Sequence, residues 1–106
     1  MQIIPLSQFP AQTLNVVLDE QYCTISLYWR QIRLYLDLFV NSIPICRGAI
    51  CQNRANILQS RSPNFNGTLH FFDLDGNWAP EWQNLNSRYI LIYVDENEIL
   101  PAALRY

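Results

Sequence analysis

An all-β domain, a small barrel or sandwich of six or seven short, mainly antiparallel strands, is the fold class this sequence predicts. Three observations predict it. Apolar residues alternate with polar ones at a period of two in several segments, the signature of half-buried strands. The three glycines fall where the chain must turn, Gly48 in a bend, Asn66-Gly67 before a strand and Asp75-Gly76 after one, and Asn-Gly and Asp-Gly tolerate the positive φ of tight turns. The length of 106 residues allows one core, so residues 1–106 read as a single β domain.

The elements follow in order. Ala11 to Leu18 is β-branched and apolar. Tyr22 to Trp29 places Cys23, Ile25, Leu27 and Trp29 on one face and Tyr22, Thr24, Ser26 and Tyr28 on the other. Ile32 to Val40 alternates more sharply, with Ile32, Leu34, Leu36, Leu38 and Val40 toward the core and Arg33 and Asp37 outward. Arg30-Gln31 is the expected connection, which makes these two strands a hairpin. Ile43 to Cys51 reads as a strand bent at Pro44 and Gly48. Asn53 to Ser60 has room for one helical turn, and Thr68 to Leu74 and Tyr89 to Val94 are two further strands.

Charge is scarce. Only 15% of the residues are Asp, Glu, Lys or Arg, against about 25% in an average soluble chain. Ten Asn and eight Gln supply polarity instead, and amides are cheaper to bury against a neighbour than charges are. All seven basic residues are Arg, the cation that interfaces favour over Lys. A net charge of −2 argues against a nucleic-acid partner, which needs a positive field to displace counterions.

No basic leader precedes the apolar residues at the start, where Pro5 and Pro10 interrupt any helix. No stretch approaches the ~20 apolar residues of a membrane span. Synthesis and folding in a cytoplasm are therefore expected, with no membrane partner. Three cysteines, Cys23, Cys46 and Cys51, fit a reducing compartment, since an odd number leaves a thiol unpaired.

Several strings carry the outline of chemistry without its substance. Phe71-Phe72-Asp73-Leu74-Asp75-Gly76 resembles the nucleophile loop of haloacid dehalogenase-type phosphatases. Those enzymes need a lysine and a doubly wound α/β domain, and this chain has no lysine. As a calcium loop the string fails, because its glycine comes too early and the twelfth position from Asp73 is Asn84. Cys23, Cys46, Cys51 and His70 lack zinc-knuckle spacing, and buried cysteine commonly serves as a small hydrophobe. With a lone histidine, neither Cys–His nor Ser–His–Asp catalysis has a motif behind it. No catalytic residue, cofactor or metal is expected.

Aromatic and arginine side chains remain. Tyr28-Trp29-Arg30-Gln31-Ile32-Arg33 interleaves rings with guanidinium groups, as a single-strand nucleic-acid platform does. Trp78-Ala79-Pro80-Glu81-Trp82 offers two indoles, as a sugar site does. The chain is not basic overall and no paired acidic cleft accompanies the indoles, so Trp29, Arg30, Arg33, Trp78 and Trp82 read instead as protein-interface residues. The ends are apolar too. Ile3, Ile4 and Leu6 within residues 1–10, and Leu100 and Leu104 within residues 99–106, are expected on extended arms that dock either on a neighbour or on the chain's own body. A small ligand- or nucleic-acid-binding β-barrel is the alternative reading.

One family resemblance draws these features together. Leu18-Asp19-Glu20-Gln21-Tyr22, Tyr35-Leu36-Asp37-Leu38, Ile43-Pro44-Ile45 with Gly48, Gly67-Thr68-Leu69, Asp75-Gly76 and Ile90-Leu91-Ile92-Tyr93 occur in order. So arranged, residues 9 to 99 resemble the small β domains that plug the baseplate hub of contractile-tailed bacteriophages, first recognised in a cyanophage. Where that family commonly has glycine, this chain has Asn41-Ser42 and Asn86, and Asn tolerates left-handed backbone. The resemblance implies a non-enzymatic virion protein of the tail baseplate, present in several copies in a symmetric assembly. Its implied partners are the hub or spike on one side and tube or tape-measure segments on the other.

Overall fold

A computed structural model of the chain describes residues 1–58 and 64–95. Seven strands run in chain order: β1 (Gln2–Ile4), β2 (Ala11–Leu18), β3 (Gln21–Arg30), β4 (Arg33–Val40), β5 (Ile43–Ile50), β6 (Thr68–Asp73) and β7 (Tyr89–Val94). A short 3-10 turn at Trp82–Asn84 lies between the last two. The strands form two antiparallel sheets, β2-β3-β4-β5 and β1-β7-β6. The sheets face each other across one core and do not close into a barrel, which resolves the expected barrel or sandwich in favour of the sandwich.

The larger sheet is a meander in which period two and register agree. Leu14, Ile25 and Leu38 stand in one row across it, and Leu27 faces Leu36 in the next. Cys23, Ile25, Leu27, Leu34, Leu36, Leu38 and Val40 are all buried. From the smaller sheet, Ile4, Leu69, Phe71, Tyr89, Leu91 and Tyr93 enter the same cluster. Burying one such side chain contributes roughly 1.5–3 kcal/mol. Phe72, Ile92 and Val94 form a second apolar cluster, on the opposite face of the smaller sheet.

Three two-residue turns join the meander, at Asp19-Glu20, Gln31-Ile32 and Asn41-Ser42. All six residues have positive φ, between 50° and 68°, the signature of type I′ turns that match strand twist. None of them is glycine. Asn41, Ser42 and Asn86 take the left-handed backbone at the positions where glycine was expected.

Two bulges bend β5, where its register against β4 shifts. At one of them Gly48, at φ 66°, donates its N–H to the Asp37 carboxylate at 2.7 Å. The Tyr28 hydroxyl donates to the same oxygen at 3.0 Å.

Four expectations need correcting. Ile32 is not a core residue: it occupies the second position of the β3–β4 turn and is 81% exposed. The connection is therefore Gln31-Ile32, with Arg30 paired to Arg33 across it. Residues 53–58 hold no helical turn. They run along β6 instead, making bridges from Asn53 to Phe71 and from Asn56 to His70, with the Asn53 and Asn56 amides satisfying backbone N–H groups. Finally, Ile4 and Leu6 are not free for an interface. Gln2–Ile4 pairs with β7, and both side chains are buried in the chain's own core.

Candidate interaction surface

The β3–β4 turn projects one end of the larger sheet beside the loop that follows β6. Between them lies an open groove of about 880 Å³. Its lining includes Trp29, Ile32 and Arg33 from the end of the β3–β4 hairpin, Arg54, and Trp78 and Glu81 from the loop after β6. Three of the candidate interface residues, Trp29, Arg33 and Trp78, thus meet at one site although 49 positions separate the two tryptophans.

Each side has its own support. Trp29 is half-buried against the core, which leaves part of its indole to the groove. Arg30, exposed beside it, lays its guanidinium 5.3 Å from the Tyr28 ring centroid. Trp78 is 69% exposed, yet its backbone is held: its N–H donates to Asp73 Oδ2 at 2.9 Å. Asp73 also accepts the Asp75 N–H at 2.9 Å and both Nε and Nη2 of Arg88, at 2.7 and 2.8 Å. The Arg88 guanidinium and the two backbone donors hold the Asp73 carboxyl well below the usual carboxylate range despite burial. The string that imitated a phosphatase loop is therefore a structural latch that presents Trp78.

Trp82 stands apart from the groove. It opens the 3-10 turn and packs partly buried against the core. Ile3 is 56% exposed on the face of the smaller sheet turned away from the core. Leu100 and Leu104 lie outside the described residues.

Arg54 is the groove residue that sequence reasoning missed. It sits at φ 72°, with its Nε buried and without a hydrogen-bond partner. No repeating pattern marks its loop, so only the fold reveals that it shares a site with Arg33.

The remaining reactive groups are spoken for. His70 is buried, its Nδ1 2.7 Å from the Arg54 carbonyl and its Nε2 2.8 Å from the Thr68 hydroxyl. A carbonyl can only accept, so Nδ1 carries the proton and the ring is held neutral, its pKa lowered by burial. Burial pushes the Cys23 thiol up to about 11 and also raises those of Cys46 and Cys51. All three are free thiols. No cluster of three metal-ligating side chains occurs among the described residues, and no helix among them is long and apolar enough to cross a membrane.

The comparison that decides the family is a match to the family model described as the cyanophage baseplate Pam3 plug gp18, which covers residues 1–96. The chain belongs to the cyanophage baseplate plug family. No curated protein matches it. In this member of the plug family, the matched span includes every strand of both sheets and every lining residue of the groove.

Proposed function

We propose that the chain is a non-enzymatic structural part of a phage tail baseplate, where it plugs the hub or spike region and adapts it to tube or tape-measure segments. The single observation that carries this reading is membership of the baseplate plug family over residues 1–96. The groove supports it, because the exposed indole of Trp78 and the half-buried one of Trp29, beside arginines that form no ion pair among the described residues, suit a protein contact better than a reaction. Two sheets packed on one apolar core make a rigid body, which is what filling a lumen and holding neighbours in register requires, and Ile3, Ile32 and Trp78 remain exposed on it. Trp29, Arg30, Arg33, Trp78 and the exposed Ile3 are the contact residues in this reading, with the protein located in the virion tail after assembly in the host.

Purified tails test it. Quantitative mass spectrometry should find the chain in a fixed ratio to the hub protein, and a map of the baseplate should place it in the central lumen. Tails that are complete and infectious without it would overturn the reading.

A further inference from the structure

We propose that copies of this chain associate head to tail, the Asp19-Glu20 turn of one copy seating in the Trp29–Arg33–Trp78 groove of the next. The two ends lie at opposite poles. β3 runs from Gln21, next to the acidic turn, to Arg30, beside the groove-lining Trp29, and its nine residue steps span about 30 Å. The whole molecule measures 31 × 30 × 21 Å, so β3 crosses its full length and the two ends cannot satisfy each other within one copy.

The basic pole is built against local preference. Arg30 and Arg33 face each other directly across the turn, and like charges in that position oppose each other. Neither forms an ion pair among the described residues, and the buried Arg54 Nε has no acceptor. Glu81 is the one carboxylate among the lining residues. Between the two arginines stands Ile32, a β-branched residue at φ 59°, where such a side chain is strained. Large apolar groups, Ile32 and Trp78, lie open beside these cations. Local conflicts of this kind concentrate at functional sites.

The opposite pole carries the complement. Asp19 and Glu20 are exposed at the tip of the β2–β3 turn, and neither forms an ion pair among the described residues. Immediately behind them Val17 and Tyr22 pair across the strands and are 48% and 71% exposed. Two carboxylates backed by an apolar pair on one pole therefore match arginines flanked by Ile32 and Trp78 on the other. Contact between two different surfaces is heterologous and continues into a ring or a stack.

Sedimentation velocity on the purified full chain tests this independently of any tail. The wild type should form concentration-dependent oligomers that weaken roughly tenfold or more when salt is raised from low to high, as exposed charge pairs are screened. Arg30→Glu with Arg33→Glu should be monomeric, and so should Asp19→Arg with Glu20→Arg, while both keep a cooperative melt. Mixed together, the two double variants should associate again, the intact acidic turn of the first seating in the intact groove of the second. If either double variant fails to fold, Arg33→Gln and Glu20→Gln serve in its place, each weakening association without abolishing it. The proposal is overturned by a wild type that stays monomeric at high concentration, including one that instead binds an acidic peptide in the groove. It is equally overturned by double variants that associate as the wild type does, or by a mixture that remains two monomers.

Discussion

Asp73 grips Arg88 with both carboxylate oxygens, and the same two atoms take the backbone N–H groups of Asp75 and Trp78. Asp73→Asn replaces one of those oxygens with a donor and removes the charge. A fall in Tm on the order of 10 °C is expected, from about 2 kcal/mol of unsatisfied donors in a domain of this size. Because the folded pKa of Asp73 lies below its unfolded value of about 3.9, its contribution is full above that pH. It is lost progressively as pH falls further. Denaturant midpoints between pH 5 and 2 should show this loss in the wild type and not in the variant.

His70 acts in a higher window. Burial lowers its pKa in the folded chain, so the unfolded state binds the proton first. Stability should be unaffected above the unfolded value of about 6.5 and should decline as pH drops through it toward the folded pKa. Replacing His70 with Gln should flatten the profile between pH 7 and 5. An unchanged slope would show that other groups set it.

Ile32 pays a local cost for its place in the turn. Ile32→Gly relieves a β-branched residue of positive φ, a strain of about 1–3 kcal/mol, less the roughly 0.5–1 kcal/mol of backbone entropy that glycine adds. Tm should rise by several degrees, while self-association through the groove weakens. Stability and association moving in opposite directions would be the signature of a residue kept for contact.

Gly67 permits no side chain. At φ 107°, an added Cβ would lie 2.5 Å from the Val94 carbonyl oxygen and 2.6 Å from the Tyr93 ring. Gly67→Ala should cost about 3 kcal/mol or more, since overpacking and backbone strain add. Thermal melts compared with a Gly76→Ala control, whose nearest neighbour would be the Arg88 side chain at 3.3 Å, would isolate the effect.

The thiols should resist labelling. Cys23 and Cys51 are buried and their thiols are raised by that burial, so thiolate is scarce at neutral pH. A thiol-reactive dye should reach half-buried Cys46 first and the other two only on unfolding. Equal rates at all three would mean that the core opens readily.

Much of the fold was legible because period two survives translation into structure: Leu34, Leu36, Leu38 and Val40 face inward as their spacing requires. The same pattern misplaced Ile32, since alternation continues smoothly into a turn whose residues carry none of the usual turn chemistry. Gln2–Ile4 escaped notice as a strand because three residues followed by a proline hold too little pattern. In the groove, Trp29, Arg33 and Trp78 stood out by residue type, whereas Arg54 depends on a long-range placement beside β6. The Asp73–Arg88 grip joins positions 15 apart, and its first partner sits in a string that imitates chemistry.

The pairing of β1 with β7 also sets how the molecule carries load. Gln2 lies opposite Tyr93 and Ile4 opposite Leu91, so the backbone enters β1 beside the point where it leaves β7. Tension applied through those two exits breaks the pairs one after another, beginning at Gln2–Tyr93, as a zipper opens. Pressure on the sandwich faces instead meets the whole interior at once. Peeling β1 from β7 therefore meets resistance one residue pair at a time, whereas a load on the faces is shared across the core.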